Sequence, residues 1–384
     1  MSGKYEKKKE KSPRKGSKTL LIVLAVIFAL ILALILAVVI YYNYAMSKIN
    51  QVDVPKVQYT TSATEYEPEI PVTDAPEETE ETTVETTEEP TEPHVASRED
   101  YINFLVVGQD YREGEENHLA DSMIVCTLNT YEKTLTLTSI LRDTQLQVSG
   151  TYRDTMGKNH TYGRVKVNMI YASGYTYGYG TADAMGWMNQ ALYDNFGFEI
   201  DHNIEVDFTA FITAIEELGG IDVEVNQAEA DYLNGEPNWV YNHIEPGIAH
   251  LDGYGALAYA RMRKAQGDEG DISRTERQRK IIGAVLNKLK TMDLSTIQRL
   301  TDKVLPYVST SMSTSEITSM IAQLLPMLND LTISSSGTCP MKGSYGSAQV
   351  DLFQNGIYHE VLTFAPQQVK KYMRALTLGE GTIE

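Results

Sequence analysis

Two cysteines, Cys126 and Cys339, are all that 384 residues contain, so a close-spaced Cys/His metal motif and a disulfide-stapled scaffold are both excluded. One bridge outside the cell is allowed by the count. Cys126 sits in an apolar run, however, and reads as a buried strand thiol. Positive charge is scarce. Lys and Arg number 33 against 52 Asp and Glu, a net charge of −19, and a chain so acidic lacks the basic face that nucleic-acid binders need. No Gly-x-Ser-x-Gly elbow and no His-Glu-x-x-His pair occurs. Gly150–Lys158 superficially resembles a phosphate loop, but six residues separate its glycines and Asn159 stands where Ser or Thr is required.

What is present is unevenly distributed. Residues 1–18 are basic, with Lys4, Lys7, Lys8, Lys9, Lys11, Arg14, Lys15 and Lys18. Thr19–Ile40 carries no charge and is almost wholly apolar, long enough to span a bilayer at about 20 residues per crossing. Tyr41, Tyr42 and Tyr44 follow as an interfacial belt. The run exceeds the ~7–15 apolar residues of a cleaved signal. Residues 19–42 therefore read as one transmembrane helix. The preceding lysines place the N-terminus in the cytoplasm and the rest of a single-pass chain outside the cell membrane. Residues 43–100 are an acidic Thr/Glu/Pro linker, too poor in apolar surface to fold and extended by self-repulsion.

The folded region begins at residue 101. Ile102–Val107 and Met123–Leu128 read as buried strands, and Leu135–Ile140 pairs with the second across a Tyr-Glu-Lys turn. The segment 152–180 is Tyr- and Gly-rich and reads as a long irregular loop whose tyrosines also suit a sugar surface. Ala182–Asn195 and Phe208–Leu218 read as helices, the latter stopped by Gly219-Gly220. Ile221–Val225 alternates as a strand, and Asp252–Tyr259 reads as a helix. Ser273-Arg-Thr-Glu276 has capping-box form, so the next helix is expected to start there and run to Lys290. Leu294–Val308 and Glu316–Leu328 read as further helices, Val350–Phe353 as a late strand and Pro366–Leu376 as a last helix. The class is α/β, with a central, mostly antiparallel or mixed sheet flanked by helices. Residues 101–292 form the main domain and 293–384 a helical extension of it.

The chemistry-bearing residues fall at element ends. Asp110 follows the first strand, Asp121 precedes the second, and Arg142-Asp143 follows the third. Ala260–Gln278 gathers Arg261, Arg263, Arg274 and Arg277 around Asp268, Glu269 and Asp271. Such a knot is either a solvated loop of weak ion pairs or an anion site, since a guanidinium fork matches phosphate oxygens two at a time. Asp110 and Asp121 suit a hard cation such as Mg²⁺ (or Mn²⁺), and Arg142, Arg261, Arg263 and Arg274 suit a diphosphate. Asp271 and Ser273 are equally explained as helix caps.

Eight pieces in series resemble the LytR-CpsA-Psr family of cell-wall ligases over about residues 103–290. They are Phe104–Asp110, Ala120-Asp-Ser122, Ser139–Asp143, Lys166-Val-Asn168, Leu218–Val223, Leu251-Asp-Gly253, Ala256–Arg263 and Asp271–Gln278. The resemblance implies transfer of an anionic glycopolymer (a teichoic acid, a capsule or a similar glycan) from undecaprenyl diphosphate to peptidoglycan. It also implies a groove for the lipid. By position it makes Asp110 and Asp121 the metal-associated acids, and Arg142, Arg261, Arg263 and Arg274 the diphosphate ligands. Asp143 would orient Arg142 or help the metal, Asp271 and Gln278 would support the arginines, and Asn168 would be a polar pocket residue. Asp110, Asp121 and Asp143 all remain candidates for the proton acceptor. Arg277, Asp268 and Glu269 are expected to face solvent. Two positions depart from the family pattern: Leu119 stands where an arginine is usual, and Leu141 where a proline is. The first leaves two further readings open, a polyprenyl-diphosphate hydrolase and a non-catalytic wall-binding or regulatory membrane protein.

Overall fold

The computed structural model describes residues 44–57, 97–109, 118–153, 159–177, 180–235, 243–263, 265, 267, 270–352 and 356–378. The apolar run 19–42, most of the linker, and Asp110, Asp268 and Glu269 lie outside the described residues. Among the described residues no helix is long and apolar enough to cross a membrane. The chain divides into two units, residues 1–48 and 49–384. In the first, residues 44–46 make one helical turn, and Ser47 Oγ donates to the Tyr44 carbonyl at 2.8 Å. The rest of the described fold belongs to the second.

Asn50–Gln51 (β1) is followed by Tyr101–Gln109 (β2), Ala120–Asn129 (β3) and Thr134–Ile140 (β4). The last three pair antiparallel, with the β3–β4 turn closed by Lys133 in the left-handed region (φ 55°). Alternation sends Leu105, Val107, Met123 and Val125 to one face of these strands and Phe104, Ile124 and Cys126 to the other. Both faces are covered, which is why the strands read as continuous apolar runs. Fully burying each such side chain contributes about 1.5–3 kcal/mol.

The described residues of the segment expected to be an irregular loop form regular elements. Gln145–Arg153 (β5) and Asn159–Lys166 (β6) form a hairpin, and Val167–Tyr177 (α1) runs directly from it. Its packing partner is Thr181–Phe196 (α2). Gly174 permits the close helix contact, because a Cβ there would stand 2.6 Å from Ala184 Cα. Leu146, Val165, Ile170, Tyr171, Met185 and Met188 join the first face's core. Tertiary packing thus overrides the weak local signal of a Tyr/Gly-rich stretch.

His202–Val206 (β7) lies parallel to β2. Phe208–Glu217 (α3) starts at Asp207, whose Oδ1 accepts the Ala210 N–H at 2.7 Å, and stops at Gly219 and Gly220 with φ of 73° and 82°. Ile221–Val225 (β8), Gln227–Gly235 (α4), Gly247–Leu251 (β9) and Gly253–Arg261 (α5) follow, with β8 and β9 paired. With Asp271–Leu289 (α6) they enclose a second core around Ile215, Val223, Leu233, Leu251 and Tyr259. The helix α6 begins at Asp271 after Gly270 (φ 65°), not at Ser273. The capping box is therefore not used. A carboxylate in the first turn, favoured by the helix dipole, serves the terminus instead.

Residues after 292 contribute more than helices. Leu294–Val304 (α7) gives way to Val308–Thr310 (β10), and Thr314–Met327 (α8) leads into Thr332–Cys339 (β11). Tyr345–Val350 (β12) pairs with His359–Phe364 (β13), before Pro366–Leu378 (α9). The late strand thus ends at Val350 instead of beginning there. Strands β10 and β11 complete a seven-stranded mixed sheet of order β1-β10-β7-β2-β3-β4-β11. Helices α1, α2 and α9 cover one face; α8 and part of α6 cover the other.

Candidate functional site

A register shift sets the site. Gly108 pairs with Ser122 and Gln109 with Ala120, so Asp121 is the extra residue of a β-bulge at the start of β3. A bulge re-aims the side chain it carries. Gly108 is needed opposite it, because a Cβ there would lie 3.1 Å from Ser122 Cβ. Around the Asp121 carboxylate stand three guanidiniums. Arg142 Nη1 is 3.3 Å from Oδ1, Arg263 Nη2 3.6 Å and Arg274 Nη1 4.0 Å.

Arg142 and Asp143 sit in the turn after β4. The Leu141 N–H donates to the Cys339 carbonyl at 2.9 Å, and the Leu362 N–H to the Asp143 carbonyl at 2.8 Å. Leu141 is fully buried and makes a backbone bond that a proline lacks. Arg142 Nε lies 3.5 Å from Asp143 and 3.3 Å from Asp271. Lys166, at the end of β6, donates to Asp143 Oδ1 at 2.6 Å. Asn168 opens α1 with its N–H directed at the Arg142 carbonyl at 3.4 Å. Its side-chain Oδ1 is buried without a hydrogen-bond partner among the described residues, an acceptor available to a ligand.

Arg274 is the buried member, with 2% of its side chain exposed. It lies 2.5 Å from Asp271 and donates to the Asp121 backbone carbonyl at 3.0 Å. Burial pulls its pKa below the usual arginine value, and Asp271 opposes the shift. Arginine nevertheless stays charged. Asp271 Oδ1 and Oδ2 and Arg142 Nε are buried but lack hydrogen bonds of good angle, so these contacts are ion pairs by distance only. Among the described residues, four cations (Arg142, Lys166, Arg263, Arg274) thus meet three carboxylates (Asp121, Asp143, Asp271), one positive charge more than negative. In a chain of net −19 such a gathering of cations is local.

Of the residues expected from the sequence, Asp121, Arg142, Asp143, Arg263, Arg274 and Asp271 come together. Gln278 sits one turn along α6, accepting from Ser122 Oγ at 3.0 Å and reaching toward the Ala260 carbonyl at 3.5 Å. Arg261 is exposed at the end of α5 and lies 4.9 Å from the Phe208 ring centre. Asp110 lies outside the described residues. Among the described residues no group of three His, Cys, Asp or Glu side chains is placed to hold a metal.

Two features were missed. Lys166 stood inside a recognised motif without a role. Arg277, expected to face solvent, is 3% exposed. Its Nε meets Glu229 at 2.7 Å and its Nη1 donates to the Met262 carbonyl at 2.9 Å. The acid that draws it inward lies 48 residues away in sequence. Cys126 and Cys339 are free and buried.

A mixed sheet flanked by helices, with arginines and carboxylates gathered at its strand ends, defines an α/β protein. The model of the LytR_cpsA_psr family matches residues 70–360, and the chain belongs to that family. It is 32% identical over 214 residues to the polyisoprenyl-teichoic acid–peptidoglycan teichoic acid transferase TagV of Bacillus subtilis (strain 168), covering 54% of this chain and 49% of that protein. It is 33% identical over 193 residues to TagU of Halalkalibacterium halodurans, a protein of the same description, covering 50% and 54%. The chain therefore spans about half the length of the curated relatives it matches. Among solved structures, Bacillus subtilis TagV superposes with a TM-score of 0.52 at 26% identity, covering 72% of this chain and 97% of that one. TagT bound to LI-WTA gives 0.53 at 22% identity, covering 74% and 97%, a likeness of fold.

Proposed function

We propose that this protein is a membrane-anchored extracellular phosphotransferase that moves an anionic glycopolymer from a polyprenyl diphosphate, of the undecaprenyl class, to peptidoglycan. The observation that carries this reading is the convergence of Arg142, Arg263 and the buried Arg274 on Asp121. A diphosphate bound there exchanges carboxylate contacts for charge-assisted contacts to its own oxygens. The acceptor hydroxyl oxygen then bonds to the polymer-side phosphorus. The bridging P–O bond breaks and polyprenyl phosphate departs, its added charge held by the same guanidiniums.

The hydroxyl proton goes to a carboxylate. Asp143 is tied to Lys166 at 2.6 Å, whereas Asp121 faces the arginines that would hold the phosphorus, so Asp121 is the better placed of the two. Mg²⁺ or Mn²⁺ takes oxygen ligands and shares them with substrate phosphates. Asp121, with Asp110, would hold such an ion, which supplies further charge neutralisation. The membrane anchor in this reading is the apolar run 19–42, with the N-terminus cytoplasmic.

The test is binding of polyprenyl diphosphate to the full-length protein in detergent. Arg263→Ala and Asp121→Ala are each expected to lose it at least tenfold; if both bind as well as the parent, the site is misassigned. Product analysis with and without peptidoglycan separates transfer from hydrolysis. Polymer released equally in both arms identifies a hydrolase.

A further inference from the structure

Around the ends of β2, β7 and β10 the structure holds a cavity of about 190 Å³. Its walls come from strand ends and their flanks: Gln109 closing β2, Glu205 in β7, Asp207 capping α3, Tyr175 in α1, and Tyr307 and Ser309 at β10. Among the described residues no side chain of that wall is cationic, which argues against a second anion site. It is also smaller than the roughly 300–1,000 Å³ of drug-sized ligand sites, which limits it to one small ring.

The chemistry of Glu205 narrows the ligand. Its Oε2 accepts from Gln109 Nε2 at 2.8 Å and from the Tyr171 hydroxyl, and its Oε1 from Thr181 Oγ1 at 3.3 Å. A carboxylate has about four acceptor positions, so three are filled and one remains on Oε1. Three donors crowding the group disfavour a metal ion, which needs those lone pairs. A hydroxyl needs only the one left. Burial raises the Glu205 pKa, and the hydrogen bonds from Tyr171 and Thr181 oppose the shift. Tyr175 is held in the wall by stacking on His118, with ring centroids 3.6 Å apart. Tyr307 is 46% exposed at the rim. Hydroxyl-matching groups beside aromatic rings suit a sugar, whose rim is polar and whose faces are apolar.

Position ties the cavity to the reaction centre. Gln109 pairs with Ala120, the residue before Asp121, and paired strands lie about 4.8 Å apart. On the far side Asp207 precedes Phe208, whose ring lies under Arg261. We infer that this cavity is a subsite for one neutral sugar ring of the acceptor glycan, holding it so that a neighbouring hydroxyl faces the arginine-bound phosphorus. This rests on the phosphotransfer reading for the identity of the glycan.

The experiment is calorimetric titration of the full-length protein in detergent with a short, uncharged peptidoglycan-type tetrasaccharide of N-acetylhexosamines, alongside polyprenyl diphosphate. Tyr307→Ala at the rim and the isosteric Glu205→Gln are each expected to weaken the tetrasaccharide at least tenfold and leave the diphosphate unchanged. Arg263→Ala is expected to do the reverse. Parent protein that does not bind the tetrasaccharide, or cavity variants that bind it as the parent does, overturns the subsite whatever the diphosphate does. If Arg263→Ala keeps the diphosphate while the cavity variants lose the sugar, the phosphotransfer reading falls and the sugar site stands. Because Tyr307 is exposed, loss in that variant is not a folding failure; an unchanged thermal transition verifies this.

Discussion

Removing the charge partner of Arg277 distinguishes framework from site most sharply. The pair Arg277 Nε–Glu229 Oε1 spans 2.7 Å with 4% and 5% of the two side chains exposed. Arg277 also donates to the Met262 carbonyl at 2.9 Å, and its guanidinium lies 6.0 Å from the Tyr259 ring centre. Glu229 in turn accepts the Asn226 N–H at 3.0 Å, closing a capping box at the start of α4. Arg277→Met therefore leaves a buried carboxylate without its cation, which costs about 3–5 kcal/mol, against roughly 0–1 kcal/mol for an exposed pair. Against a typical total stability of about 5–15 kcal/mol the loss is large. Glu229→Gln keeps one acceptor oxygen for the cap and removes the charge together with the second acceptor, so the cycle of Arg277→Met, Glu229→Gln and the double variant measures the coupling of the whole pair. Urea unfolding reads it as a fall in midpoint at constant slope. The double variant is expected to recover most of the loss. A single-variant cost below about 1 kcal/mol, or strictly additive costs, would refute the assignment of this pair to the framework. The same Arg277→Met change frees the Met262 carbonyl next to Arg263, so diphosphate affinity is expected to fall with stability.

Leu119→Arg supplies the cation that the family pattern has at that position. One charge-assisted contact is worth about 1.5–3 kcal/mol, so polyprenyl diphosphate is expected to bind about tenfold tighter or more; unchanged affinity would show that Arg142, Arg263 and Arg274 already saturate the phosphates. Glu205 has its pKa raised by burial above the ordinary 4.5. Its contribution to stability is fully present below pH 4.5 and is lost as pH rises through the raised value. The unfolding free energy of Glu205→Gln relative to the parent is therefore expected to improve from pH 4 towards neutrality, and a pH-independent difference would sink the argument. Burial pushes Cys126 up to about 12 and Cys339 well above its ordinary value. Neither thiol is expected to react with a disulfide reagent at pH 8 until the protein is unfolded, and rapid native labelling would contradict the fold at β3 or β11.

Local rules read correctly wherever one residue's neighbours decide its state. The apolar runs of β2 and β3, the glycine stop after α3 and the helix α5 were all legible in this way, and Asp252 caps α5 by accepting the Gly255 N–H at 2.7 Å. They failed where a distant segment decides. The hairpin and helix across 145–177 depend on α2, and the start of α6 depends on Asp271 meeting Arg274 and Arg142. The arginines of α6 show why the site was only partly legible. Arg274, Arg277 and Arg279 stand within six residues, and all are buried. In sequence they are equivalent; in the fold each meets a different wall. Arg274 reaches the bulge at Asp121 and Arg277 reaches Glu229 on α4. Arg279 donates at 2.7 Å to both Ser139 on β4 and Ser336 on β11. A buried cation held by two hydroxyls locks sheet to helix without drawing a carboxylate away from the site. The two neighbouring arginines thus fix the rotation of α6, and that rotation, more than any property of Arg274 itself, brings its guanidinium to Asp121.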